Sequence, residues 1–346
     1  MLYFHVWKRC GLFLLTLFFV LGTIACTEPP SVSDIELYDV TYAQDQFIAV
    51  GGQRIAEPGT YQILLMTSPD GKAWKPLTSP LEKPKITQEL LSGHILKGIA
   101  HGNDTFVAVG GSYQSWTSSL VLTSTNGQDW TTVEQDLKGR LVDVAFGNGM
   151  FVAVSDQREA WTSKDGKTWT PKPLSFQGGI SGITYGNNTF VVYGSGNSLA
   201  LSNDLNTWTP HVLEKVTQSS VRFANNQFLG SAVQNTCLGT GSCQTYSLLH
   251  SNQGKQWSLM HSSEQPRSIR GFAFNNGTYV VVQPGQLWTT KDPNAPETWK
   301  SNSQAWREFR GLAYGNNTFV AVGYGEIQWS TDGNTWESKT YPRPAE

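Results

Sequence analysis

Charged side chains recur at one point of a repeating pattern. The residues two positions before a recurrent apolar site are Tyr38, Lys97, Val142, Ser181, Ser219, Arg270 and Arg310, and each is followed in turn by Asp39, Gly98, Asp143, Gly182, Ser220, Gly271 and Gly311. Guanidinium and ammonium groups brought together can hold an anionic or polar ligand through charge-assisted hydrogen bonds. The alternative is that these charges pair with one another or with water in an empty channel. Three positions after the first set, Arg222 stands where the other repeats carry Thr41, Ala100, Ala145, Thr184, Ala273 and Ala313, all small. An arginine there must find an internal partner or reach a channel. Tyr61, Tyr113 and Trp116 form a second candidate set, able to stack on a sugar or anchor a protein, or simply to pack within their own loops.

The elements that must position these residues are read from the repeat itself. Its cleanest copy is Phe309–Trp336: a short apolar run ending at Tyr314, a Gly-Asn-Asn-Thr turn into Phe319–Gly323, an apolar segment ending at Ser330, then an Asp-Gly turn leading to Trp336. Each part is short, rich in β-branched and aromatic types, and bounded by Gly, Asn or Asp, which is the signature of antiparallel strands joined by tight turns. One anchor recurs as Phe47, Phe106, Phe151, Phe190, Phe228, Tyr279 and Phe319, the other as Trp74, Trp130, Trp169, Trp208, Trp257, Trp299 and Trp336. Both give the same count. Repeats of roughly 40 residues with four strands each predict an all-β, seven-bladed β-propeller of four-stranded antiparallel blades over 34–341. A sandwich or barrel is the alternative for evenly spaced strands.

The turn before the tryptophan carries a resemblance. Ser68-Asp70-Gly71-Trp74, Ser163-Asp165-Gly166-Trp169 and Ser330-Asp332-Gly333-Trp336 read Ser-x-Asp-Gly-x-x-Trp; Ser124-Asn126-Gly127-Trp130 and Ser202-Asp204-Trp208 are near copies, and Ser251-Gly254-Trp257 and Thr290-Asp292-Trp299 are degenerate. This resembles the Asp-box repeats of sialidase-like and related bacterial propellers, in a variant one residue shorter between Asp and Gly. The resemblance spans about nine-tenths of the chain and implies the fold, with the box as a structural turn. One carboxylate per turn is too few for a calcium site, so no metal and no cofactor is expected. A sialidase-like activity would imply an arginine triad, for which Arg222, Arg270 and Arg310 are available, a Tyr–Glu pair and an Asp acid/base. The Arg-Ile-Pro signature of that family is absent, Arg54-Ile55-Ala56 not matching it, and repeat register places no Tyr–Glu pair. Glu57, Asp39 and Asp143 are the carboxylates available to a glycosidase. Gly-x-Ser-x-Gly, His-Glu-x-x-His and phosphate-loop motifs are missing, and His101, standing where other repeats carry Tyr or Phe, reads as a packed ring. A second family, the photosystem assembly factors related to lipid-anchored thylakoid propellers, is similar in blade number and lipidation, but its repeats favour Asp-Gly-Gly before the tryptophan.

The ends of the chain bear on cellular address. Residues 1–25 read as a signal segment: Lys8 and Arg9 precede the apolar run Gly11–Leu21, too short for a comfortable membrane span. The ending Ile24-Ala25-Cys26 resembles a bacterial lipobox, which implies lipidation at Cys26, although Thr23 departs from the usual leucine; 26–33 is then a tether. Cleavage would leave 23 basic against 27 acidic side chains, and with no basic stripe nucleic acid is not an expected partner. Cys237 and Cys243 flank five residues and read as a local disulfide in an oxidising envelope. In a four-stranded meander, the connection between the second and third strands and the link to the next blade share one face. The irregular loops Gly51–Gln62, Lys75–Ile95, Gly111–Ser119 and Gly230–Tyr246 all fall there, and varied loops on a rigid scaffold are where binding sits. The sequons at Asn103, Asn187, Asn276 and Asn316 read as turn chemistry. The expectation is a lipid-anchored propeller of the bacterial cell envelope, binding an envelope protein or glycan on its loop-rich face, with a glycan-active hydrolase as the alternative. An outer strand ends the chain and an inner one begins it, which leaves ring closure open; Ser31–Ile35 is available to pair with the last blade.

Overall fold

The computed structural model describes residues 35–54, 61–77, 93–114, 118–135, 137–195, 198–213, 218–235, 244–262, 269–293, 295–302 and 308–341. Cys26, Glu57, Trp116, Cys237, Cys243, the signal segment and the tether lie outside them. The described strands form seven sheets, each of four sequence-consecutive antiparallel strands. The protein is therefore a seven-bladed β-propeller. Its inner strands are Ile35–Ala43, His94–Gly102, Leu141–Gly147, Ile180–Gly186, Gln218–Ala224, Gly271–Asn275 and Phe309–Gly315. The repeat register holds in every blade: Thr41 pairs with Ile48, Arg222 with Leu229 and Ala313 with Val320.

Each second strand lies between two neighbouring blades, so both its faces are buried. Phe106, Val107, Ala108 and Val109 are all solvent-inaccessible, which is why these segments read as unbroken apolar runs rather than alternating ones. The tight turn entering them needs positive φ at both central residues. Asn187 and Asn188 supply φ of 43° and 60°, and Asn316 and Asn317 43° and 54°. The first asparagine then has a second task. The Asn187 amide donates to Asn226 O at 2.9 Å and Asn252 O at 2.7 Å in the next blade, Asn103 donates to Gly149 O and Lys164 O, and Asn316 donates to Pro69 O. In these three blades the asparagine of the apparent sequon is an inter-blade tie.

Seven aromatic pairs make a repeated step around the ring. The last ring of each inner strand packs on the anchor of the second strand, with centroids 4.4–4.9 Å apart from His101–Phe106 to Phe223–Phe228. His101 behaves as the packed ring its position implied. The next blade's ring lies against the glycine that follows: a Cβ at Gly147 would fall 2.3 Å from Tyr185, and one at Gly315 2.0 Å from Tyr42. Gly315 and Tyr42 belong to the last and first blades, so the same step closes the ring. Closure is completed by the Gly325 N–H donating to Ile35 O at 2.8 Å, an isolated bridge between Glu36 and Tyr324, and a core in which Leu37 and Val40 meet Val320, Val322 and Ile327. Among the described residues no strand is exchanged between the chain ends.

The Ser-x-Asp-Gly-x-x-Trp turns are closed hydrogen-bond units. In the first blade Ser68 Oγ accepts from the Gly71 N–H at 2.9 Å and donates to Asp70 Oδ1 at 3.0 Å; Asp70 Oδ1 accepts from Lys72 and Ala73 N–H, both at 2.9 Å; Trp74 Nε1 donates to Gly71 O at 2.7 Å. Those amides hold the Asp70 carboxyl below its ordinary pKa. The same set recurs at Ser163–Trp169 and Ser330–Trp336. In blade four Leu205 takes the glycine's place, at a φ of 62°.

Candidate functional site

β-Bulges set the ring of side chains at the channel mouth. Register slips between Leu37 and Asp39, Leu96 and Gly98, Ile180 and Gly182, and Phe309 and Gly311. The extra residues are Tyr38, Lys97, Ser181 and Arg310, and a corresponding slip falls at Val142. A bulge interrupts the two-residue alternation and re-aims a side chain. All five line a central cavity of about 710 Å³, together with Arg270, which stands just ahead of the sixth inner strand. The inner strands start on the face from which the Arg54–Tyr61, Pro76–His94 and Asn235–Gln244 connections also depart.

Asp39 and Asp143 are placed for structure. Asp39 accepts from its own neighbour Val40 N–H at 2.9 Å and from Ile99 N–H of the next blade at 3.0 Å; Asp143 accepts from Val144 at 2.8 Å and from Ile183 at 3.0 Å. Each carboxylate thus ties one blade to the next, at whose matching position stands Gly98 or Gly182. Burial, then the charge of Asp143, pushes the Asp39 carboxyl up to about 7; burial raises Asp143 as well, and the charge of Arg222 opposes both shifts. Arg222 does reach the channel. Its guanidinium donates to Val221 O at 3.0 Å and lies 5.1 Å from the Tyr193 ring centroid.

Tyr38 is the centre of the mouth. Lys97 Nζ, from blade two, lies 3.3 Å from its ring centroid and the Arg310 guanidinium, from blade seven, lies 4.3 Å from it, so one electron-rich face system serves two cations. The Tyr38 hydroxyl donates to Glu36 Oε2 at 2.6 Å, and Tyr61 donates to Glu36 Oε1 at 2.8 Å. Arg54 Nη2 donates to the Tyr61 hydroxyl at 3.1 Å. The Tyr113 ring packs tilted on Tyr61, with centroids 4.3 Å apart, and stays 40% exposed. Arg310 pairs with Glu308 at 3.4 Å and Arg140 with Asp156 at 3.5 Å. Lys97 and Arg270 make no side-chain hydrogen bond or ion pair among the described residues. Burial, then Arg310 and Arg140, lowers Lys97 to about 7; burial, then Arg310, lowers Arg270.

Three functional candidates were missed by repeat reasoning: Glu36, Arg140 and Glu308. They share one repeat position, two residues before the ring position, and a charge recurring there was the available signal. Glu36 also changes one expectation, since a Tyr–Glu pair does exist here. The two residues are i and i+2 on one strand, a spacing that alternation itself places on one face, so the pair was within reach of the strand pattern. Chemically, the cavity wall carries Lys97, Arg140, Arg222, Arg270 and Arg310 against Asp39, Asp143 and Glu308, and the shifts of Asp39 and Lys97, both to about 7, discharge one group of each sign. The mouth is thus locally positive on a chain whose net charge is −2, and opposite charge in a partly desolvated cleft attracts anions. Among the described residues no group of three or more His, Cys, Asp or Glu could hold a metal ion, and no helix is long and apolar enough to cross a membrane.

No known protein family and no curated protein matches the sequence. Solved structures do share its fold. YCF48 bound to a D1 peptide aligns with a TM-score of 0.59 at 15% identity over 86% of this chain and 93% of that one. YCF48 from Cyanidioschyzon merolae aligns with a TM-score of 0.55 at 14% identity, over 91% and 97%. The Niastella koreensis GH74 enzyme aligns with a TM-score of 0.50 at 14% identity, over 87% of this chain and 54% of that chain. At such identities the likeness is one of fold.

Proposed function

We propose that this protein is a propeller of the bacterial cell envelope, lipidated at Cys26, that binds the acidic part of a protein or glycan ligand at the loop-bearing mouth of its channel. The observation that carries the ligand reading is the meeting of Lys97, Arg270 and Arg310 at one mouth, two of them without a hydrogen-bonded carboxylate among the described residues. The box turns support kinship with Asp-box propellers, and the lipobox-like Ile24-Ala25-Cys26 supports the anchor. That a propeller of this fold holds a peptide favours a protein ligand over a glycan. The test is capture of solubilised envelope proteins and glycans by soluble Thr27–Glu346, with Arg270→Glu as the control bait. Arg270 stands just ahead of its strand and its side chain makes no hydrogen bond or ion pair among the described residues, so the control bait is expected to fold, which its circular dichroism checks. A ligand held by the first bait and lost by the second supports the reading; identical capture by both, or none, sinks it.

A hydrolase reading draws on one observation, the Tyr38–Glu36 hydrogen bond beside arginines, which is the arrangement of an activated tyrosine nucleophile. Against it, burial raises the Tyr38 pKa, and its ring is engaged by two cations. Release of a fluorophore from acidic-sugar glycosides, abolished by Tyr38→Phe, would favour the enzyme.

A further inference from the structure

We infer that the mouth takes up a proton as it binds an anion, and that Lys97 is the group that receives it. This rests on the anion-binding reading above and specifies how that site is regulated.

Lys97 sits on a bulge of blade two, inside the cavity, and its ammonium faces the Tyr38 ring at 3.3 Å. Blade one presents Tyr38, Glu36 and Asp39 to this region, blade three presents Arg140 and Asp143, and blade seven presents Arg310 with its partner Glu308. His94, on the same strand, is engaged with Ser118. The positive groups repel a charge on Lys97, and burial withholds the water that would otherwise solvate it. Of the nearby carboxylates only Glu36 appreciably favours that charge, and it is already occupied by the hydroxyls of Tyr38 and Tyr61. The Tyr38 ring favours the cation but is shared with Arg310. With these neighbours, Lys97 is therefore poised between its neutral and charged forms near pH 7. An anion entering the cavity beside Lys97 reverses the balance: it offsets the repulsion and gives the ammonium a direct counter-charge. Lys97 then completes its protonation, and binding and proton uptake become one linked equilibrium.

Linkage gives the expected size. A group half-charged at pH 7 when free and fully charged when bound takes up about half a proton at that pH, and affinity falls about tenfold from pH 6 to pH 8. The probe is sulfate, whose charge is constant over this range. Calorimetric titration of the full chain in detergent, in Tris and in imidazole buffers, reads protons taken up per sulfate from the difference in heats. Lys97→Arg keeps a permanent charge at the position; it is expected to bind sulfate with an affinity flat to about twofold and with no uptake, while Asp39→Asn is expected to keep the uptake. Uptake that persists in Lys97→Arg, or disappears in Asp39→Asn, overturns the assignment and gives the proton to the carboxylate pair. Sulfate binding by the native chain without uptake overturns the coupling alone and leaves the anion site standing. No sulfate binding at pH 6 overturns the anion site and the coupling together.

Discussion

Gly147→Ala tests whether the propeller is held at close approach by its repeated aromatic step. The added Cβ would lie 2.3 Å from Cδ2 and Cγ of Tyr185 and 2.4 Å from Cδ1. Ordinary carbon contacts are about 3.5–4.0 Å, so the ring must retreat by about 1 Å or more. It has little room to do so, because Tyr185 packs at 4.6 Å on the fully buried Phe190 and its hydroxyl is bonded to Asn148. Overpacking of this kind costs about 1–3 kcal/mol. Replacing glycine also removes unfolded-state entropy, stabilising by about 0.4–1 kcal/mol, since Gly147 is not among the glycines with positive φ. The net expectation is a loss of about 1–2 kcal/mol by denaturant unfolding. The cause is isolated by a cycle with Tyr185→Ala, where the clash has no partner and Gly147→Ala should be neutral or stabilising, giving a coupling of about 1–3 kcal/mol, the overpacking cost itself. Gly149→Ala is a useful contrast, with no neighbour within 4 Å but a φ of 72°; its cost should not depend on Tyr185. If Gly147→Ala is harmless in the native background, or costs the same with and without Tyr185, blade spacing is not set by this contact.

The buried carboxylates give a pH signature. The folded pKa of Asp39, about 7, exceeds its ordinary value of 3.8, so the fold binds the proton more tightly than the unfolded chain does. The Asp39 contribution to stability should therefore rise as pH falls from about 7 toward 5, where Asp70, with its lowered pKa, is still ionised, while the lowered values of Lys97, His101 and His211 act in the opposite sense; the difference between the native chain and Asp39→Asn, in unfolding midpoints taken between pH 5 and 8, isolates the Asp39 share. In the box turns, Asp165→Ala leaves to water the exposed Lys167 and Thr168 N–H groups, each now 2.8 Å from Oδ1. A loss of about 1–2 kcal/mol is expected with sulfate binding unchanged, and a change in sulfate binding would show that the turn does more than close its blade.

How much was legible follows from the range of the forces involved. The repeat, the blade count and the strand order were readable because each rests on neighbours within a few residues: Asn at positive φ, Ser and Asp closing a turn on backbone amides, apolar runs for strands covered on both sides. The ring position of Arg270, Arg310 and Lys97 was also readable, because repetition carries register from one blade to the next, and even Arg222 fell where its divergent blade implied. What the repeat could not carry were differences between blades. Asp39 and Asp143 looked like ligand groups from their position, yet one oxygen of each is taken by its own neighbour's amide and the other by an amide of the following blade, a contact that exists only once Gly98 and Gly182 are opposite them. Glu36 was legible as a neighbour of Tyr38, two residues along the same strand, but its second partner, Tyr61, reaches it from the third strand of the blade. The local units and their number follow from the residue pattern along the chain. Only closure of the ring decided which charges share one mouth, because Tyr38, Lys97 and Arg310 belong to the first, second and last blades, and the charge state of each is set by neighbours that chain connectivity does not bring together.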